Sequence, residues 1–396
     1  MKKIAFIIRN LAGGGVERTL FNLIEAIDKT KFEIFLLVLE NIGKMKSEIP
    51  KDVYVIDLSL TNYLFARVNF KSKEKFYDLI KSGHFMQALN LYIFDRKSNA
   101  VANKRGAVGM YELYKKYIPE YPDSFDLAVD FYGYGDYTGV YVIDKINANK
   151  KVTWIHDEKQ QWIKGMKSYY PRFDAIFACS QQCVNNFLNV FPELKDRVDV
   201  FYNLIPVDKI KQMAKLDSPI FSNKTNLVTV GRLSRQKGYD IAIKAAQIIK
   251  SQDIKFTWYF VGAGLEEDSL RELAKECQVE NEIVFCGFDL NPYRYMRNCD
   301  IYVQPSRHEG YCTTITEAFI LGKVIVASDV SGVREQIEDG ITGIILPDLN
   351  PECLANALCN LVKNKKYCDS ISANVSSRKI DFNDELEKIY KIINMK

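Results

Sequence analysis

The densest chemistry in the sequence lies in Ser306-Arg307-His308-Glu309-Gly310-Tyr311-Cys312-Thr313-Thr314-Ile315-Thr316-Glu317-Ala318. The apolar run 300–305 before it predicts a buried strand, and the letters from Cys312 onward predict a helix. That arrangement leaves one carboxylate, Glu309, in a loop and carries a second, Glu317, about a turn and a half into the helix. A buried carboxylate so placed can take two hydroxyls of a ribose. The helix N-terminus, with Gly310 ahead of it, points backbone N–H groups at an anion. Taken singly, Glu317 reads as a capping or surface glutamate and Glu309 as a loop ion-pair partner. Cys312 makes a poor nucleophile, because no histidine is placed locally to activate it and His308 lies in the loop.

Two glycine-bearing turns offer anion chemistry elsewhere. Gly231-Arg232-Leu233-Ser234-Arg235-Gln236-Lys237-Gly238 follows the apolar run 226–231 and sets three cations beside a helix start. Arginine can fork onto phosphate oxygens and lysine supplies a point charge, so this turn suits a diphosphate; a solvated basic loop explains the same letters. Gly13-Gly14-Gly15-Val16-Glu17-Arg18 follows the first apolar run. With Glu40 at the end of the second run it resembles a dinucleotide fingerprint for NAD, but Arg18 stands where the third glycine should allow close helix packing, and a plain tight turn is the other reading. Gly262-Ala263-Gly264 repeats the glycine turn and lacks the G-K-S/T of a P-loop.

These turns need strands to hold them. Continuous apolar runs at 3–9, 32–39, 53–58, 126–131, 151–156, 174–179 and 197–203 alternate mostly with helical patterns, the first at 16–28. Runs of that kind indicate strands of a parallel sheet covered on both faces. A second series follows at 226–231, 256–262, 282–287, 300–305, 323–328 and 342–347. The expected fold is α/β, with two Rossmann-like doubly wound domains facing a central cleft and ligands at the carboxyl ends of the strands. The expected boundaries are 1–204, with a helical insertion at about 60–120, then 205–380, and a C-terminal helix within 381–396 that packs back on the first domain. Residues 205–225 have the proline, serine and polar character of a linker.

With 396 residues, 47% hydrophobic and 26% charged, the chain is an ordinary globular one, which excludes disorder and fibres. No apolar run is long enough to span a membrane, and the start is broken too early for a signal peptide, so a cytoplasmic location is expected. Nine cysteines in no C-x-x-C pair and three histidines argue against a disulfide framework and against zinc. The net charge of +4 resides in the first half: residues 1–200 hold 29 basic and 24 acidic side chains, the rest 25 and 26. Within that half, 60–105 carries nine basic and three acidic residues among many aromatics. Lys71, Lys73 and Lys75 sit there and suit an anionic membrane face, although a solvated helical face accounts for them equally. Nucleic acid is disfavoured, since the charge is modest and no recognised binding module is present.

The pair Glu309 and Glu317 with seven residues between, downstream of G-R-L-S-x-Q-K-G and F-V-G-x-G and after a G-G-x-E-R turn, resembles glycosyltransferase family 4, retaining enzymes of the GT-B fold such as those building bacterial capsule, exopolysaccharide or O-antigen. The resemblance implies that Arg232 and Lys237 bind the donor diphosphate and that Glu317 binds the nucleotide ribose. It implies that Glu309 contacts the transferred sugar or steadies its positive charge, with Gly310, Tyr311, Cys312 and Thr313 supplying amides. Gly14 and Gly15 would close on the diphosphate from the first domain, and His156, in W-I-H-D-E, would face the reacting sugar. The family usually has proline or a hydrophobic residue where this chain has Cys312. No D-x-D spacing occurs, so no metal and no other cofactor is expected, and fixed cations would stabilise the leaving nucleoside diphosphate. The implied partners are a nucleotide-sugar, UDP-linked by expectation, and a polyprenyl-diphosphate-linked or other surface-polysaccharide acceptor at the inner-membrane surface. Other classes remain open: an NAD-dependent oxidoreductase, a non-catalytic nucleotide-sugar-binding protein and a nucleotide-sugar epimerase.

Overall fold

The computed structural model describes the chain except residues 12–13, 42, most of 59–119, 134–136, 158–162, 217–220, 222–223, 378–381 and 396. The expected helical insertion falls almost wholly outside the described residues, and Lys71, Lys73 and Lys75 lie outside them. The rest divides into two compact units, Met1–Leu204 with Asn383–Lys396, and Ile205–Phe382.

In the first unit the chain runs β1 (Lys2–Asn10), α1 (Gly15–Ala26), β2 (Phe32–Asn41), β3 (Val53–Asp57), β4 (Ser124–Asp130), α2 (Tyr137–Lys145), β5 (Asn147–Ile155), β6 (Ala175–Ala178), α3 (Gln181–Leu188) and β7 (Val198–Val200). The sheet order is β3-β2-β1-β4-β5-β6-β7, with every pairing parallel. Ile4 to Ile8 on β1 are fully buried, as expected of a central strand with helices on both faces.

The second unit contains α4 (Val207–Met213), β8 (Thr225–Val230), α5 (Tyr239–Ser251), β9 (Phe256–Val261), α6 (Glu267–Glu276), β10 (Ile283–Gly287), α7 (Tyr293–Asn298), β11 (Ile301–Gln304), α8 (Thr313–Ile320), β12 (Val324–Ser328), α9 (Val333–Gln336), β13 (Ile344–Leu346), α10 (Pro351–Lys363) and α11 (Lys365–Ser377). Its parallel sheet has the order β10-β9-β8-β11-β12-β13. One core of apolar side chains, from Ile205 to Val375, fills the space between sheet and helices.

Two terminal features refine the sequence reading. The stretch 205–225, expected to be a linker, contains α4, whose Ile210 is fully buried in the second core and whose Met213 O accepts from Asn291 Nδ2 at 2.9 Å. The last helix, α12 (Asn383–Asn394), belongs to the first unit. Its Tyr390 ring stacks on Phe32 at 5.3 Å, and Lys2 Nζ donates to Ile393 O at 3.1 Å. Burial raises the Glu385 carboxyl above its ordinary range, even though Lys388 Nζ (3.0 Å) and the Tyr202 amide (3.2 Å) donate to it.

Candidate active site

In the second sheet the strand order reverses between β8 and β11. Loops leaving such neighbours diverge and open a crevice at their carboxyl ends. The loop after β8 tightens into a short 3-10 turn, Arg235–Lys237, and closes on Gly238 with φ +70°. A Cβ at Gly238 would lie 1.9 Å from Pro305 O, so only glycine lets this loop touch the loop after β11.

The two loops are stitched together. The Arg307 amide donates to Gln236 O at 2.7 Å, and Gln236 Nε2 to His308 O at 3.0 Å. The Arg307 guanidinium forks onto both Asp240 oxygens at 2.7 and 2.6 Å. Arg307 is thereby committed to holding the loops. What the stitching brings together is Lys237 Nζ and Glu309 Oε1, 2.7 Å apart.

Burial opposes the charge on Lys237, but the Glu309 carboxylate outweighs that penalty and leaves its pKa raised. Arg232 is exposed, repels Lys237, and has no partner for its guanidinium among the described residues. A fixed, partly buried cation and an exposed one lie on the same turn, an arrangement whose charge suits an anion.

Glu309 is 7% exposed and also accepts from Ser306 Oγ at 2.6 Å. Behind Ser306 lies a chain that sequence reasoning missed. Gln304 Nε2 donates to Ser306 Oγ at 2.7 Å, and Gln304 Oε1 accepts from Tyr302 OH at 2.6 Å and Thr314 Oγ1 at 3.0 Å. The available signal was two polar letters, Gln304 and Ser306, at the end of a strand that is otherwise apolar.

Cys312 is buried at the start of α8, with Sγ 3.1 Å from Thr314 Oγ1. Burial, with help from the Glu309 charge, pushes its thiol up to about 11, which favours the thiol over the nucleophilic thiolate near pH 7. No side chain caps α8. Gly332 braces the preceding loop: a Cβ there would come within 3.0 Å of Gly310 O and of the Tyr311 ring. Thr313 opens the helix, and Glu317, 4% exposed, accepts from Tyr293 OH at 3.2 Å.

At the carboxyl edge of the first sheet the order reverses between β1 and β4. Gly14 precedes α1, which has no side-chain cap, and a Cβ at Gly15 would meet nothing within 4 Å. Glu40 pairs with Arg9 Nε at 2.7 Å and also accepts from Tyr137 OH, so the carboxylate considered for an NAD ribose is held by its own domain. His156 Nε2 donates to Phe131 O at 2.7 Å. Burial pushes its pKa down to about 4 against the opposing effect of that bond, which keeps the ring neutral near pH 7. Asp130, buried at the end of β4, accepts from Thr153 Oγ1 at 2.7 Å. The Gly262-Ala263-Gly264 turn serves the fold: a Cβ at Gly262 would lie 1.8 Å from Gly231 O, and one at Gly264 2.0 Å from Leu233 O.

Residues 211–378 match the Glycosyl transferases group 1 family. The matched segment contains Arg232, Lys237, Glu309 and Glu317. An uncharacterised glycosyltransferase of Haemophilus influenzae is 26% identical over 370 residues, 92% of this chain and 91% of its own length. The N-acetylgalactosamine-N,N'-diacetylbacillosaminyl-diphospho-undecaprenol 4-alpha-N-acetylgalactosaminyltransferase of Campylobacter jejuni is 28% identical over 198 residues. That match covers 50% of this chain and 53% of the enzyme, so the chain spans about half the length of that relative. Among solved structures, Anabaena HepE in complex with UDP and glucose superposes with a TM-score of 0.69 at 18% identity, covering 99% of both chains. The architecture is therefore GT-B, built from two Rossmann-like domains. No helix among the described residues is long and apolar enough to cross a membrane.

Proposed function

We propose that the protein is a retaining, metal-independent glycosyltransferase. Its donor is a UDP-sugar, and its acceptor is a polyprenyl-diphosphate-linked or other surface-polysaccharide saccharide at the cytoplasmic face of a membrane. The observation that carries this reading is the Lys237–Glu309 pair, 2.7 Å apart where the loops after β8 and β11 meet. Lys237, the exposed Arg232 and the uncapped start of α8 supply positive charge where a diphosphate would lie, and Glu309 supplies negative charge beside it. The UDP bound by HepE supports the choice of donor. The diphospho-undecaprenol in the Campylobacter enzyme's name supports the choice of acceptor.

In this mechanism the bond from the anomeric carbon to the diphosphate breaks first. Lys237 and Arg232 stabilise the charge on the departing UDP, and Glu309 steadies the oxocarbenium-like sugar. The acceptor oxygen bonds from the same face and its proton passes to the leaving phosphate oxygen, so the anomeric configuration is retained without a covalent enzyme intermediate. Such an intermediate needs a carboxylate on the far face of the sugar. Glu317 takes the ribose hydroxyls.

Thermal unfolding with UDP, GDP, ADP, NAD and a set of UDP-sugars tests the donor, since a ligand at 100 times its Kd adds about 2.7 kcal/mol of stability. Stabilisation by UDP and one UDP-sugar, followed by transfer of that sugar to a lipid-linked acceptor in the presence of a chelator, is expected. Stabilisation by NAD alone, or activity restored only by magnesium or manganese, contradicts the proposal.

A further inference from the structure

Resting on that reading of Glu309, we propose that Ser306, itself oriented by Gln304, is a positioning residue that commits one oxygen of Glu309 to the protein and leaves the other to the reacting sugar. The protons run one way along the buried chain. Gln304 Oε1 accepts two hydroxyl protons, from Tyr302 at 2.6 Å and Thr314 at 3.0 Å, which fills both of its lone pairs. The amide nitrogen of Gln304 is thus turned toward Ser306 and donates to Oγ at 2.7 Å. Ser306 Oγ, already accepting, gives its own proton to Glu309 Oε1 at 2.6 Å.

Lys237 Nζ reaches the same oxygen at 2.7 Å. Both hydrogen bonds to Glu309 therefore fall on Oε1, and Oε2 accepts none among the described residues. Two donors on one oxygen, from different loops, fix the carboxylate plane and select which oxygen meets the substrate.

The placement of the chain argues for this role. Tyr302 and Ser306 are fully buried and Gln304 is 1% exposed, so the relay lies inside the core of the second unit, where solvent does not loosen it. Burying an amide and two hydroxyls costs desolvation that apolar side chains on β11 would avoid. Every bond in the relay runs toward Glu309, and its far end is anchored on the strand and helix that flank the crevice.

The test compares Ser306→Ala in the wild type and in a Glu309→Gln background. It measures kcat and KM for the UDP-sugar, UDP affinity by calorimetry, and Tm. Alone, Ser306→Ala should lower kcat about 10- to 100-fold, the scale on which a small misplacement of a reacting group acts. The KM for the donor and the affinity for UDP should change less than about two-fold, because Lys237 and Arg232 remain. In the Glu309→Gln background the same change should lower kcat no further, and Ser306→Thr, which keeps the hydroxyl, should recover most of the rate.

Gln304→Met, close in shape, serves if Ser306→Ala fails to fold. It frees the Ser306 proton without removing it, and should show a smaller loss that also vanishes in the Glu309→Gln background. A loss of equal size in both backgrounds, or none in either, overturns the inference and leaves the role of Glu309 standing. Turnover untouched by Glu309→Gln itself overturns that role and the inference together.

Discussion

Two ion pairs of equal length sit at the carboxyl edges of the two sheets, Arg9–Glu40 and Lys237–Glu309, each at 2.7 Å and each with a carboxylate side chain 9% exposed. Their neighbours differ. Glu40 takes a second donor from Tyr137, whose ring also lies beneath the Arg9 guanidinium at 5.6 Å. That pair is enclosed by its own domain. The Lys237 pair instead has the exposed charge of Arg232 beside it and the uncapped start of α8 close by in the chain. The two pairs share a bond length and differ in the charge left over around them.

The largest effect that would sharpen this contrast is on turnover. Glu309→Gln should lower kcat by about 10²- to 10³-fold, the range for loss of one preorganised electrostatic contact. Glu40→Gln should cost stability and change kcat less than about three-fold. Steady-state kinetics on both variants decides, and comparable losses in kcat would break the comparison.

Next in size is the contrast between glycines. Gly238→Ala places a Cβ 1.9 Å from Pro305 O at a φ of +70°, and should destabilise the second unit by about 3 kcal/mol or more in denaturant unfolding. Gly15→Ala meets open space and should alter stability by less than about 1 kcal/mol. A fall in UDP-sugar affinity without a fall in Tm would mark Gly15 as a glycine kept for ligand.

His156 gives a pH signature to the first unit. Its folded pKa, about 4, lies below the ordinary value of 6.5, so between these values the unfolded chain binds the extra proton. The stability that depends on the neutral ring is full above pH 6.5 and is lost as pH falls toward 4, by up to about 3 kcal/mol. His156→Gln should flatten that part of the stability profile. An imidazole that titrates near 6.5 by NMR would contradict that profile.

The smallest effect per residue concerns Lys71, Lys73 and Lys75. Replacing all three with glutamine should weaken binding to anionic liposomes at low salt by about 1 kcal/mol per lysine. Unchanged vesicle sedimentation would return that stretch to a solvated face.

Most strands were legible before the structure. The run 226–231 became Thr225–Val230, and 323–328 became Val324–Ser328, because unbroken apolar runs admit few alternatives when they alternate with helices. The Glu309–Glu317 loop and the Lys237 turn were legible for a related reason: each follows a strand end, where a sheet of this topology exposes its loops.

What escaped was every feature that depends on distant partners. The Gly262-Ala263-Gly264 turn has the letters of a ligand loop, yet its glycines make room for Gly231 and Leu233. Glu40 looked available for a ribose until the β1–β2 register brought Arg9 beside it. The proline- and serine-bearing stretch at 205–225 concealed a helix because a single buried side chain, Ile210, decides it. The Gln304–Ser306 relay needed both residues on one face of the β11 end before it meant anything.

The most direct measurement is calorimetric titration of UDP into the wild type, Lys237→Met and Glu40→Gln, with folding of each checked by Tm. UDP is expected to bind the wild type and Glu40→Gln alike, and Lys237→Met to lose about ten-fold or more in affinity, as for removal of a partly buried charge-assisted contact. Unchanged binding by Lys237→Met, or loss of binding in Glu40→Gln instead, would place the nucleotide at the other sheet and contradict the assignment of the donor site.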